Sequence, residues 1–161
     1  MSALARHFRV QVASLYSHVK SSQDLKAQIA LVALTEMADL GAAALAGRAG
    51  RDALAALANV YRDYAREHPG RYAAAQFQLD PETAAAIAGR RHAEMTRAIL
   101  RGYDLSEPAQ TDAIRLLGSV FRGYVSLELA GSFSHSAPDS SESWPRILDA
   151  LDSLLRNWPE R

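Results

Sequence analysis

At 161 residues, 48% of them apolar and with a formal net charge of zero, the chain can bury one core-forming domain, alone or with a small appendage, which excludes a peptide or a fibre. Alanine (31) and leucine (20) far outnumber valine (7) and isoleucine (5), so helix formers dominate and an all-α fold is expected. Cysteine is absent, which excludes disulfides and thiolate chemistry. No apolar run approaches about 18 residues, and no basic region followed by an apolar stretch opens the chain, so a cytoplasmic protein without a membrane partner is expected.

The neutral total hides a split. Residues 1–30 hold Arg6, Arg9, Lys20 and Lys26 against Asp24 alone, leaving 14 basic and 17 acidic residues in the remainder. A small basic head on a slightly acidic body suits an electrostatic contact with phosphates. Within that head, residues 3–8 and 12–19 read as two short helices joined by Arg9-Val10-Gln11, the spacing of a helix-turn-helix. Leu4, Phe8, Val10, Leu15 and Val19 form an inward apolar set. Gln11, Val12, Ala13, Ser14 and Ser17 fall on the outer side, where the start of a helix would reach base edges in a major groove. Tyr16, His18 and Lys20 are placed to donate to phosphates and fix the register.

From residue 22 onward, apolar residues recur at helical spacing. Leu25, Ile29, Val32, Met37 and Leu40 predict an amphipathic helix over 22–46, and Leu54, Leu57, Tyr61 and Tyr64 another over 51–67, with Gly47 and Gly50 marking the break. A short helix over 71–77 follows. Asp80-Pro81-Glu82 then provides an N-cap and a proline at the first helical position for a helix over 81–101, carrying Ile87, His92, Met95 and Ile99. All six prolines can be placed at helix boundaries.

Ser106-Glu107-Pro108 starts a further helix, whose stretch 111–133 is apolar on more than one face and predicts burial on two sides; 144–158 predict the last helix. The Ser-rich stretch 134–142 between them is expected to be mobile. The surplus apolar surface of these two helices predicts a two-fold, four-helix contact in a homodimer, built from Ile114, Leu117, Phe121, Val125, Leu148, Leu151 and Leu155.

The string Leu4-Ala5-Arg6-His7-Phe8-Arg9-Val10, then Ala13-Ser14-Leu15-Tyr16-Ser17-His18-Val19-Lys20 and Asp24-Leu25, resembles the DNA-binding signature of the tetracycline-repressor (TetR) family. Residues 123–131 also resemble one C-terminal subtype of that family. The resemblance implies a partial DNA-binding domain over 1–21 and a ligand-binding and dimerisation domain over 22–161. It implies a homodimeric regulator, usually a repressor, released from double-stranded operator DNA by a small-molecule effector. The sequence departs from the family pattern in three places. Arg9 stands where glycine is usual, Ser22 stands where a phosphate-binding lysine is common, and the family's first helix has no counterpart before Leu4. A shortened form is therefore expected, with Leu4, Phe8 and Leu15 partly exposed and with dimerisation and ligand binding outlasting DNA binding as the alternative function.

Tyr61, Tyr64, Tyr72, Phe77, Met95, Ile99 and Phe121 are candidates to line an effector cavity, with His92 or Glu128 supplying polarity. Apolar residues at helical spacing are also what any core needs, and for each of these taken singly core packing is the stronger expectation. Glu128 is expected to pair with an arginine such as Arg122. The five histidines (His7, His18, His68, His92, His135) lack metal-ligand spacing, and neither a Gly-x-Ser-x-Gly elbow nor a Gly-rich phosphate loop is present. No catalytic residue, metal or cofactor is expected, and the protein is not read as an enzyme.

Overall fold

The computed structural model describes residues 1–77, 79 and 85–159, without the side chains of 85–88. Eight helices are described: α1 (Ser2–Phe8), α2 (Val12–Tyr16), α3 (Ser22–Leu45), α4 (Gly50–Glu67), α5 (Pro69–Ala74), α6 (Ala85–Leu100), α7 (Glu107–Leu129) and α8 (Ser140–Arg156). The fold is all-α, as expected. The predicted start at Asp80-Pro81-Glu82 and the predicted side chain of Ile87 lie outside the described residues.

Helix ends follow local chemistry more closely than apolar periodicity suggests. Ser21 caps α3, its Oγ accepting from the Asp24 N–H at 3.0 Å, while the Asp24 carboxylate accepts from the Lys20 N–H at 2.8 Å. Pro69 opens α5, which therefore starts two residues earlier than predicted, and Ser106-Glu107-Pro108 starts α7, as expected. α7 ends at Leu129, four residues before the predicted end, because Gly131 takes the left-handed conformation (φ 71°). The Gly131 and Ser132 N–H groups then donate back to the Glu128 and Leu127 carbonyls. α8 begins at Ser140, capped by Asp139, so the last part of the stretch expected to be mobile is helical. Pro145 consequently lies inside α8, contrary to the expectation that every proline marks a boundary. Its neighbour Trp144 is buried, donates from Nε1 to Asn59 at 2.8 Å, and stacks beside Tyr124. These contacts offset the lost backbone hydrogen bond.

α4 is the central post. Its Leu54, Leu57 and Ala58 join Ile99 and Leu100 of α6, Leu117 and Phe121 of α7, and Trp144, Leu148, Leu151 and Leu155 of α8 in the main core. A second cluster joins Ala33 and Met37 of α3 to Tyr64, Tyr72 and Val125. α3 keeps Met37 inside as expected but departs from the rest of its expected facing. By length and composition it is apolar enough to cross a membrane, but here it packs on α4, α5 and α6. It buries Ala30, Ala33, Ala38 and Gly41, whereas Ile29, Val32 and Leu40 point to solvent. Small residues win the inner face because they let the axes approach: a Cβ on Gly41 would lie 2.9 Å from Met95 Sδ and 3.0 Å from Leu57 Cδ1.

Two polar ties cross this packing. The Arg62 guanidinium donates to both oxygens of Glu128 at 2.9 and 2.6 Å, Ser140 Oγ donates to the same carboxylate at 2.6 Å, and Arg66 lies 3.3 Å away. The Arg62 and Glu128 side chains are only 8% and 9% exposed, so each charge depends on the other, and the hydrogen bonds from Arg62 hold the Glu128 carboxyl below its usual range. In the second tie, Tyr61 OH and His92 Nδ1 lie 2.6 Å apart, and His92 Nε2 lies 2.9 Å from the Leu34 carbonyl. A carbonyl can only accept, so Nε2 carries the proton and Nδ1 accepts from Tyr61. Burial lowers the His92 pKa from 6.5, which keeps the imidazole neutral.

Glu128→Ala, which strands Arg62, is expected to cost about 3 kcal/mol in denaturant unfolding; a loss within about 0.5 kcal/mol would show that water already satisfies Arg62. For His92 the folded pKa lies below the unfolded one, so its contribution is complete above pH 6.5 and falls away as pH drops through the lowered folded value. The thermal midpoint should decline on acidification from 6.5 towards 4.5, where carboxylates begin to protonate, and decline less in His92→Gln. Equal slopes would assign the titration elsewhere.

Candidate functional site

The N-terminal head is two short helices and a tight turn. α1 closes with Arg9 in the left-handed region (φ 56°), while the Arg9 and Val10 N–H groups donate to the Arg6 and Ala5 carbonyls. This motif ordinarily favours glycine, so Arg9 holds a mildly strained backbone. α2 is five residues long rather than the predicted eight; the chain turns at Ser17, whose Oγ donates to the Ser14 carbonyl at 2.7 Å. Gln11, Val12, Ala13, Ser14, Tyr16, Ser17, His18 and Lys20 are all exposed, Tyr16 by 50%. Leu4 and Leu15 are half-buried and Phe8 is 63% exposed, the partial exposure expected of the short head; Ala5 is buried, Val19 is half-buried, and Val10, expected inside, faces solvent. Two helices of seven and five residues cannot enclose five apolar side chains. The cap shared by Lys20, Ser21 and Asp24 fixes the head to the start of α3.

Farther along, α3 forms one wall of a cavity of about 310 Å³ between α3, α4, α5, α6 and α7. Leu34 and Met37 of α3, Tyr61 of α4, Tyr72 of α5, Ala75 and Gln76 just after it, His92 and Thr96 of α6, and Ile114, Leu117, Phe121 and Arg122 of α7 line it. Burial raises the Tyr61 and Tyr72 pKa values, so both phenols stay protonated, and for Tyr72 the Arg122 charge works in the opposite direction. The Tyr61–His92 pair is not an acid–base dyad awaiting a substrate, because both imidazole nitrogens are already engaged. Among the described residues no group of three or more His, Asp or Glu side chains could hold a metal.

Of the predicted ligand residues, Tyr61, His92 and Phe121 line this cavity, as does Tyr72. The others do not. Tyr64 is buried against α3 and donates to Glu36 at 2.5 Å, a bond that with burial raises its pKa to about 12. Phe77 is exposed under the Lys26 ammonium, 4.9 Å from its ring centre. Ile99 belongs to the main core, Met95 packs on it beside Gly41, and Glu128 is consumed by Arg62, not Arg122. Sequence reasoning missed Leu34, Met37, Gln76, Thr96 and Arg122 as lining residues. The helical repeat could have found Thr96, one turn beyond His92, and Arg122, beside Phe121. Leu34 and Met37 depend on how α3 crosses the other helices.

The predicted dimer residues are displaced in the same way. Leu117, Phe121, Val125, Leu148, Leu151 and Leu155 are all buried within the single chain and fill its own core, so they leave no surface for a second copy; Ile114 lines the cavity. α7 leaves Leu127 and Leu129 exposed and α8 leaves Leu154 exposed, while Leu116, Val120 and Ile147, at helical spacing from Leu127 and Leu154, are half-buried against the main core.

Comparison with known proteins agrees with this architecture. A family described as tetracyclin repressor-like, C-terminal domain, matches residues 54–151. The chain is 29% identical over 158 residues to the uncharacterized HTH-type transcriptional regulator YobS of Bacillus subtilis, covering 98% of this chain and 78% of that protein. It is 35% identical over 135 residues to the uncharacterized HTH-type transcriptional regulator Rv0681 of Mycobacterium tuberculosis, covering 81% of this chain and 61% of that one. With its described helices in this order and a family match over most of α4 to α8, the chain belongs to the tetracycline-repressor family.

Proposed function

We propose that the protein is a non-enzymatic, ligand-responsive transcriptional repressor that binds double-stranded operator DNA as a homodimer and releases it when a small molecule occupies the cavity. The observation that carries this reading is the continuity of α3: one end is capped onto the exposed recognition segment through Lys20, Ser21 and Asp24, and its middle supplies Leu34 and Met37 to the cavity. A ligand that displaces Leu34 or Met37 bears on the same rigid rod that orients α2. In a two-fold dimer, tilting that rod changes the separation of the two heads, and half-site spacing on a duplex tolerates little change. Both relatives compared above are named as HTH-type transcriptional regulators, which supports the DNA-binding part of the reading.

The dimer contact is assigned to the outer stripe of α7 and α8, with Leu127 and Leu154 at its exposed edge. A helical module that dimerises and binds ligand without DNA is the competing reading, favoured by the solvent-facing Phe8 and Val10. Titration of a duplex carrying the promoter of the protein's own gene, at several salt concentrations, separates the two: a repressor shows binding that weakens steeply with salt, and the module shows none. Tyr16→Phe is expected to weaken that binding about threefold to tenfold without altering ligand affinity. The double substitution Leu127→Glu with Leu154→Glu should convert a dimer to a folded monomer in analytical ultracentrifugation; a dimer that survives both changes would place the interface elsewhere.

A further inference from the structure

The cavity contains polar features that its packing does not use. Among its described lining residues there is no Asp or Glu, and the charged side chain present is Arg122. Arg122 is exposed and has no carboxylate partner among the described residues, because Glu128, its expected partner, is held by Arg62 and Arg66. On the α5 side, the Gln76 Nε2 donates to the Tyr72 carbonyl at 3.3 Å, but its Oε1 is buried without a hydrogen-bond partner among the described residues. A buried acceptor in that condition is uncommon, since it forfeits its hydration and gains nothing in return. The other polar side chains of the described lining are committed: His92 through both nitrogens, Tyr61 to His92, Thr96 to the His92 carbonyl, and the Tyr72 hydroxyl to Ser126. The rest of the described lining is apolar.

From these observations we infer that the effector is a small amphipathic carboxylate, its anionic group paired with Arg122, its body among the apolar side chains, and a hydrogen-bond donor on that body received by Gln76 Oε1. The inference rests on the reading of this cavity as the effector site. A cation would find no counter-charge among the described lining residues and would meet Arg122, so amines are disfavoured. At about 310 Å³, the space is that of roughly ten waters, which limits the ligand to the size of one substituted ring or a short chain. An arginine fork suits a carboxylate because it offers paired donors in one plane.

The test is calorimetric titration of the full chain with para-hydroxyphenylpropionate, its amide, tyramine, and phenylpropionate, which lacks the ring hydroxyl. The acid is expected to bind at least about tenfold more tightly than the amide, and tyramine more weakly still. Arg122→Met and Arg122→Gln should reduce the acid to the amide's affinity while leaving the amide unchanged, and Gln76→Leu should erase the advantage of the hydroxylated acid over phenylpropionate. Gly118→Leu serves as a filled-cavity control: Gly118 lines the cavity and a Cβ there meets no neighbour within 4 Å, so the fold should tolerate the side chain while every ligand is excluded. Failure of the acid to bind, equal binding of acid and amide, or indifference to both Arg122 substitutions overturns the inference. Binding of the amide or tyramine that Gly118→Leu abolishes would retain the cavity as an effector site while rejecting the anionic class. None of these measurements depends on DNA release.

Discussion

The close approach of α3 to the other helices is the constraint on which the remaining structure depends. Ala30, Ala33, Ala38 and Gly41 bring the α3 backbone near α4 and α6, and at Gly41 the fit leaves no room for even one more carbon without moving Met95 or Leu57. Interiors packed this tightly do not deform continuously. Leu34 and Met37 at the cavity and the N-terminal head capped onto the first turn of α3 are therefore joined through one closely packed helix.

Polar contacts add direction to this packing. His92 joins α6 to the α3 carbonyl of Leu34 and to Tyr61 of α4, Arg91 pairs with Asp39 at 2.7 Å, and Glu36 accepts from Tyr64 and Arg71. The partly exposed Arg91 and Arg71 pairs contribute little energy singly. Their geometry matters more, because each fixes α3 against a different neighbour. The Arg62–Glu128–Ser140 network plays the corresponding part at the other end, joining α4, α7 and the start of α8, and it explains why residues 140–142 are helical.

Consuming Glu128 in that network has a consequence for the cavity. With its expected partner taken, Arg122 lacks a carboxylate among the described residues and stands on a wall otherwise short of charge. Core and cavity-lining positions are thus divided between two arginines whose sequence surroundings do not distinguish them. Burial makes the difference: Arg62 lies on the core side of α4 beneath Trp144, while Arg122 reaches the edge of α7.

The sequence alone determined the features that local chemistry governs. Alanine and leucine content gave an all-α chain, Gly47 and Gly50 marked the break between α3 and α4, and the outward residues of the head were legible because two helices this short have few alternatives. The turn chemistry at Pro108 gave the start of α7, whereas apolar periodicity obscured that at Gly131 and placed the end of α7 four residues too late. Tertiary structure decided which face of each helix is inner. On α3 the small residues are buried and Ile29, Val32 and Leu40 exposed, because backbone proximity outweighs side-chain hydrophobicity where helices cross closely. On α7 and α8 the strongest apolar stripe went to the chain's own core and left the weaker one nearer the surface. Periodicity identifies a stripe but not its partner, since burying an apolar side chain against the same chain or against another gains similar free energy.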